Sequence, residues 1–430
     1  MTQTAAVLGP GLDDLDDLFG RSPAREQQSD SVEPDSAAIE PVADPYAPIV
    51  LTEGSLVAQV LYQAAVGTPA IVVDSPPGGG KTTTICQITN YLVTRLGQRV
   101  TIGVPRRNQA RDLAKRLGQC VDPSTIHLAL SKEAPMDGFS SHAPTAKVEI
   151  RTLASLKMSK SSGRTLIVDE AYQTTTEEGA AAAANFEQVI AVGDPGQIGP
   201  VVPVATYAWK SAPHAPFAAT LRARSDAWTS SLPTTYRLGA ATAAAITPLY
   251  PFPFDSGRPD TYLRAGTTRL PELAGVQTVS VPTSATDQGL LSAAIAAVWR
   301  LVGTELMDNH GVRPIEHRDI VVCAALRSQV TALRAMLFAG GLGQVGIGTA
   351  DEIQGGQWAA VVAVDPLAGG QASAHHADMG RLCVMASRHT AHLSFVHDGA
   401  WRTGPMGELT PKQVRAHRNL RRALTSETLA

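Results

Sequence analysis

The 430-residue sequence predicts two tandem α/β domains with parallel sheets, preceded by a disordered acidic tail. Three observations carry this: two series of short apolar runs alternating with helical stretches, a turn-rich junction between them near Pro233–Tyr236, and a charge-segregated N-terminus.

Residues 1–46 are rich in Asp, Glu, Ser, Pro and Gln and hold few large apolar side chains, too few to offset the entropy of ordering. Residues 1–48 set ten carboxylates against two arginines, so a chain of net charge -3 has a body of about +5. An acidic tail on a mildly basic body is compatible with a polyanionic partner. Inside the tail, Leu12-Asp13-Asp14-Leu15-Asp16-Asp17-Leu18-Phe19 alternates acids with Leu and Phe. Such a segment either folds on a partner or only solubilises. At Asp17, Leu18 and Phe19 it resembles the peptide by which bacterial replication proteins dock on the sliding clamp, without the leading Gln. The four cysteines form no CxxC pair, which argues against a disulfide framework or zinc ribbon and suits a cytoplasmic protein. No apolar run approaches 18 residues.

In the body, Ala70–Val73, Val100–Val104, Val148–Ile150, Leu166–Val168 and Val189–Val192 read as strands of one series. Ile320–Cys323, Val345–Ile347, Val361–Val364 and Leu393–Val396 read as a second. Helix-like stretches such as Gln109–Leu117 and Leu290–Val302 lie between them. Near-continuous apolar strands alternating with helices indicate parallel sheets covered on both faces. The expected domains span 47–233 and 234–405, followed by a basic C-terminal helix within 406–430 carrying Arg415, Arg418, Arg421 and Arg422. A solvated helix is its default reading, a nucleic-acid contact the alternative.

The run Ser75-Pro76-Pro77-Gly78-Gly79-Gly80-Lys81-Thr82 follows the first strand and opens a helix over Thr83–Leu96, the context a phosphate-binding loop requires. The loop Pro77–Thr83, through the backbone N–H groups of Gly78–Thr83, and the helix N-terminus make an anion cradle. Lys81 adds charge for the β- and γ-phosphates, and the Thr82 hydroxyl can ligate Mg2+. Leu166-Ile167-Val168-Asp169-Glu170 ends a strand in two carboxylates. Asp169 suits the metal shell, and Glu170 suits orienting and deprotonating a water. A third strand ends in Gly193-Asp194-Pro195-Gly196-Gln197, where the Gln197 amide can contact the γ-phosphate of ATP; a plain Gly-Asp-Pro-Gly turn is the alternative.

SPPGGGKT, DEAYQ, GDPGQ, TTYRL, Thr349-Ala350-Asp351-Glu352-Ile353-Gln354-Gly355 and Val384-Met385-Ala386-Ser387-Arg388 stand in one order. Together they resemble a superfamily 1 helicase, nearest its 5′-to-3′ branch of nonsense-mediated-decay-type and RecD-like enzymes. The resemblance implies two RecA-like domains, with Lys81, Thr82, Asp169, Glu170 and Gln197 lining the ATP site of the first. It implies Arg237 and Arg388 as arginine fingers from the second, with Gln354, Gly355 and Gln357 beside the nucleotide. Gln357 stands where the family has a glutamate, and Trp358 either stacks on a base or joins the core. The family's upstream adenine-reading glutamine has only Gln59 nearby, at an imperfect offset. Thr152 and Thr349 resemble backbone-contacting threonines for single-stranded nucleic acid, DNA favoured over RNA. Pro105, Arg106, Arg107 and Asn108 fall in the first strand-contacting loop, where two arginines add phosphate contacts or form a solvated turn.

The spacing from the Pro105 loop to Asp169 leaves no room for a large accessory domain, and none is expected in the second half. ATP-driven translocation is therefore the leading reading, and a non-unwinding ATP switch that recruits partners the alternative. A small-molecule P-loop kinase leaves TTYRL and the later motifs unexplained. His375, His376, His389, His392 and His397 have no metal-ligand spacing and are expected to be structural or on the surface.

Overall fold

The computed structural model describes residues 44–130, 136–159, 161–200, 212–278, 280, 282–370, 373, 375–399 and 409–427. The Leu15–Phe19 segment lies outside the described residues, as does all of the tail before Asp44.

Seven strands build the first sheet: β1 (Ala70–Asp74), β2 (Val100–Val104), β3 (Ile126–Leu128), β4 (Val148–Thr152), β5 (Gly163–Val168), β6 (Phe186–Gly193) and β7 (Ala227–Ser231). Their order is β3-β4-β2-β5-β6-β1-β7, with every neighbouring pair parallel. Successive side chains alternate between two helical layers. Ile71, Val73, Ile102 and Ile190 pack with α1 (Leu56–Ala65), α2 (Lys81–Thr94) and α3 (Arg107–Leu117). Ala70, Val72, Leu166 and Ala191 pack with α4 (Leu153–Met158), α5 (Thr176–Ala183) and α6 (Phe217–Arg222). Burial of both faces is why these strands read as unbroken apolar runs. Each fully buried Val or Ile contributes about 1.5–3 kcal/mol.

A short parallel pair, β8 (Thr234–Thr235) with β9 (Asp255–Ser256), brackets α7 (Ala240–Ile246). The strands β10 (Tyr262–Ala265) and β11 (Thr268–Arg269) precede β12 (Leu273–Gln277) and α8 (Gln288–Leu301); β13 (Glu305–Asp308) and β14 (Gly311–Pro314) follow. A small antiparallel sheet, β11-β10-β13-β14, results. The second parallel sheet has the order β16-β15-β17-β18-β12-β19. Its remaining strands are β15 (Ile320–Ala324), β16 (Gly346–Thr349), β17 (Trp358–Val364), β18 (His389–His397) and β19 (Thr425–Glu427). One face packs against α8 and α9 (Arg327–Ala339) through Val322, Val362 and Val396. The other packs against α7, α10 (Ala350–Ile353), α11 (Met379–Ala386) and α12 (Pro411–Arg422) through Val321, Val361 and Phe395.

The expected strands all form, but β3, β7, β12, β19 and the antiparallel sheet are additions to the sequence expectation. Edge position explains three of them, β3, β7 and β19. Strand β7 reads Ala-Trp-Thr-Ser-Ser and is only partly buried, and β19 pairs on one side alone. The basic C-terminal helix is not a free arm. Ala416, His417, Leu420 and Arg421 of α12 are buried, and Arg421 forms a buried ion pair with Asp365. Its exposed face carries Lys412, Arg415, Arg418 and Arg422.

Candidate active site

Strand order puts β5, β6 and β1 side by side, so three loops emerge together at the carboxyl ends of the strands. That crevice is where open α/β sheets hold ligands. It brings Ser75–Lys81, Asp169-Glu170 and Asp194–Gln197 into one place although they are far apart in the chain.

In the phosphate-binding loop, Gly78 (φ 70) and Gly80 (φ 87) occupy left-handed backbone that glycine adopts without a Cβ penalty. Gly80 is the N-cap of α2, which starts at Lys81. Ser75, in place of the usual first glycine, is buried; its N–H donates to Gly193 O (2.9 Å) and its hydroxyl to Pro76 O (2.9 Å). Lys81 Nζ lies 3.2 Å from Glu170 Oε1. Burial works against the Lys81 charge, but attraction to Glu170, Asp194 and Asp169 outweighs it and raises the ammonium pKa. Burial, reinforced by the neighbouring Glu170 charge, pushes Asp169 up to about 7.

Glu170 has φ 52, the one positive value among described non-glycine residues. Its N–H donates to Asp169 Oδ1 (2.8 Å), and Gln173 Nε2 donates to Glu170 Oε2 (3.0 Å). Such backbone costs about 1–3 kcal/mol and marks a residue held for its position.

The Gly-Asp-Pro-Gly segment is both a turn and a site. Asp194, buried, accepts from Gly196 N (3.0 Å) and from Gln197 Nε2 (2.5 Å), so the turn aims the amide. Gln354 Nε2 in turn donates to Gln197 Oε1 (3.3 Å).

A cleft of about 400 Å³ opens here. Gly78–Thr83, Glu170 and Gln197 line it on the first-sheet side, and Tyr236, Arg237, Gly355, Gln357 and Arg388 on the other. The two sides are keyed together. Thr235 Oγ1 donates to Pro77 O (2.6 Å), and Tyr236 N donates to Gly78 O (2.9 Å). A Cβ on Gly78 would sit 2.3 Å from Arg237 Cβ, so close approach as well as φ demands glycine there.

Arg237 Nε donates to Gln357 Oε1 (2.9 Å), and Arg388 Nη2 to Ser387 Oγ (3.3 Å). The Arg388 side chain is buried, and its Nε has no hydrogen-bond partner. Burial first, then repulsion from Arg388, pushes Arg237 down to about 10. Two guanidinium groups thus crowd a cleft in which the described residues give neither an ion-paired carboxylate. A polyphosphate fits that deficit of negative charge, and a divalent cation fits the Asp169 carboxyl, which burial alone disfavours as an anion.

Three expected residues stand behind the cleft wall rather than in it. Pro77 spends its carbonyl on Thr235, Asp169 is buried beneath Glu170, and Gln354 reaches the site through Gln197. Gln59 lies elsewhere, in a separate concavity with Tyr62 and Trp228, its amide donating to Gly54 O (2.8 Å). Trp358 packs against the second core. The structure adds two lining residues, Arg116 from α3 and Tyr236, which is 64% exposed. Tyr236 was in plain view inside TTYRL; Arg116 carries no local signal.

Pro105, Arg106, Arg107 and Asn108 sit at the tip of β2, with Arg106 to Asn108 exposed. The helix starts earlier than expected, at Arg107, with Arg106 as its N-cap. Thr152, at the tip of the neighbouring strand β4, caps α4 by accepting from Ser155 N (3.3 Å). Thr349, at the tip of β16, caps α10 by accepting from Glu352 N (3.4 Å). Each hydroxyl keeps its proton to donate. The late histidines have structural partners. His389 meets Thr242 and Glu272, His392 meets Pro271 O and Ser394, and His375 and His376 stack edge to face.

The fold and the cleft define a P-loop nucleotide-binding protein. The AAA domain family matches residues 58–244. The match takes in the Ser75–Thr82, Asp169-Glu170, Gly193–Gln197 and Thr234–Leu238 motifs, while the two later motifs lie beyond it. Solved structures similar to the chain include the PRRSV helicase (16% identical, covering 79% of this chain and 54% of that one, TM-score 0.46). Arterivirus nonstructural protein 10, a helicase, is 17% identical over 79% of this chain and 62% of that one, with TM-score 0.47. Its complex with DNA gives 19% identity, 79% and 63% coverage, and TM-score 0.45. The chain thus spans less than two thirds of the length of these helicases. No curated protein sequence matches it.

Proposed function

We propose that the chain is a nucleic-acid-dependent ATPase that couples ATP hydrolysis to movement along a single strand, in the manner of the 5′-to-3′ branch of superfamily 1. The observation that carries this is the pair of carboxylate-free guanidiniums, Arg237 and Arg388, facing the Lys81–Glu170 ion pair across a cleft between two sheets.

In this reading the N–H groups of Gly78–Thr83 and Lys81 hold the β- and γ-phosphates. Lys81 leaves Glu170 as it turns to the phosphate, freeing that carboxylate to orient water and take its proton. Thr82 and Asp169 would hold magnesium, which supplies positive charge to the phosphate oxygens. Gln197 contacts the γ-phosphate, Gln357 the sugar, and Tyr236 offers a ring face to the base. Arg237 and Arg388 stabilise charge on the transferring phosphoryl group only when the cleft is closed. Residues 47–233 and 234–405 are then the two bodies that open and close. Arg106, Arg107, Asn108 and Thr152 on one body and Thr349 on the other contact the strand.

The test is ATP turnover with and without single-stranded DNA or RNA, then unwinding of duplexes with 5′ or 3′ overhangs. Stimulation with unwinding from a 5′ overhang is expected. Stimulation without unwinding favours a non-unwinding switch, and no stimulation by either polymer sinks the motor.

A further inference from the structure

Cysteines that stand far apart in the sequence come together in the first sheet's helical layer. Cys86 sits on α2, about one turn beyond Lys81–Thr82, and Cys120 follows the C-terminus of α3; both are free thiols. Cys120 Sγ donates to Leu117 O (3.4 Å) and to Cys86 O (3.9 Å), which places its sulfur directly against the Cys86 residue. Asn90, a turn further along α2, donates to Cys120 O (2.6 Å) and accepts from Ile49 N (3.0 Å), so the Cys120 backbone is pinned against α2. Cys86 is 8% exposed, whereas Cys120 is half-buried, so reagents reach the pair through Cys120.

The chemistry of the pair is asymmetric. The neighbouring Cys120 thiol, with burial adding, raises the Cys86 thiol, while the neighbouring Cys86 lowers Cys120. Cys120 is therefore the better thiolate and Cys86 the resolving partner. Cys323 and Cys383 are buried in the second sheet and its α11 layer, away from this pair.

We propose that Cys86 and Cys120 are a redox modification site, closing reversibly into a disulfide that regulates the phosphate-binding helix. With hydrogen peroxide as oxidant, the Cys120 thiolate attacks one oxygen and breaks the O–O bond. This leaves a sulfenic acid and a hydroxide that leaves as water on taking a proton. The Cys86 sulfur then attacks the sulfenic sulfur, forming the S–S bond and releasing a second water. Two thiols lose two electrons and the peroxide gains them; a thiol reductant reverses the change.

The consequence rests on the ATPase reading. Helix α2 begins at Lys81, and α3 runs from the Pro105–Asn108 loop to Arg116 in the cleft. Drawing the two sulfurs to a bond of about 2.05 Å pulls α2 toward Cys120 and shifts the helix start that carries Lys81 and Thr82.

The experiment treats the full chain with hydrogen peroxide, alkylates remaining thiols under denaturing conditions and counts them by mass spectrometry, with ATP turnover measured in parallel. Wild type should lose two of its four thiols and yield one linked peptide joining Cys86 and Cys120. Turnover should fall on the order of fivefold or more, a modest inter-site coupling, and recover with dithiothreitol. Cys120→Ser and Cys120→Ala should give no linked peptide and no peroxide-dependent loss. Four thiols remaining, or a different pairing, overturns the site. A Cys86–Cys120 link with unchanged turnover overturns the regulation. If the reduced protein hydrolyses no ATP, the ATPase reading fails, while the thiol count still decides the pair.

Discussion

Glu170 and Arg388 are each held at a local cost, and that cost shapes what their replacement should do. Glu170 sits in left-handed backbone against Lys81. Glu170→Gln should keep nucleotide binding, measured by equilibrium titration, while hydrolysis falls on the order of 10²–10⁴-fold, the range for loss of a general base. Lys81→Ala should abolish binding instead; an active Glu170→Gln protein would place the base elsewhere. Arg388 is buried with an unpartnered Nε, so its charge opposes folding. Arg388→Met should lower turnover by roughly 10³–10⁵-fold, as for loss of an arginine finger. The urea midpoint should not fall, since a hydrophobe of similar length removes an uncompensated buried charge. A midpoint that drops along with activity would make Arg388 a structural residue. Lys81, Glu170 and Gln197 were legible in the sequence because each lies in or just past a loop that leaves an apolar strand. Asp194 was legible only as a turn residue, because its hold on the Gln197 amide exists only once the loop is folded. Arg116 was not legible at all, because only the packing of α3 on α2 brings it to the cleft.

Most strands buried on both faces were readable as apolar runs. The edge strands β3, β7 and β19 and the antiparallel hairpins were not, because such strands are only partly covered and the pattern dilutes. Interior β12 was missed because Gly275 breaks its short Leu-Ala-Gly-Val-Gln run. Helix α12 shows the complementary failure. Its arginines read as a charged surface, yet Arg421 lies fully buried on Asp365, with the His417 carbonyl accepting from it at 2.8 Å. Asp365→Ala strands that guanidinium and should cost about 3–5 kcal/mol of unfolding free energy. Chemical denaturation followed by circular dichroism reads it; a loss below 1 kcal/mol would mean α12 contributes little to the second core. The same layers set an acid limit. Burial pushes both His392 and His417 down to about 4, with repulsion from Arg421 adding at His417. Each is therefore neutral when folded, while the unfolded chain takes up protons near the ordinary value of 6.5. Stability should fall as pH drops from about 6.5 to about 4, by at most on the order of 3 kcal/mol per group. Below that window these two groups add nothing further. Urea midpoints across the range test this, and His417→Gln should flatten the slope.

Two parallel sheets share one cleft, and the candidate strand contacts are divided between them. Arg106 and Thr152 belong to neighbouring strand tips of the first sheet, and Thr349 to a strand tip of the second. In the proposed motor, any change in cleft width therefore alters the spacing of these candidate contacts. Gln197 ties the halves at the chemical end, since Gln354 donates to it from the segment that Thr349 caps. Removal of the acidic tail from the count leaves a mildly basic body, which is compatible with a polyanionic partner and fixes no sequence. Binding should therefore be governed by phosphate contacts and fall linearly, on logarithmic axes, as salt rises. Arg106 is exposed at the loop and is not part of the cleft. Arg106→Ala should weaken binding to single strands of every sequence alike and reduce the salt slope by about 0.7, the increment for one phosphate contact on a single strand. Turnover without nucleic acid should stay at the wild-type rate, because nothing in the nucleotide cleft has changed. Fluorescence anisotropy over a salt series measures the slope, and an unchanged slope would make the Pro105–Asn108 loop a solvated turn rather than a strand contact.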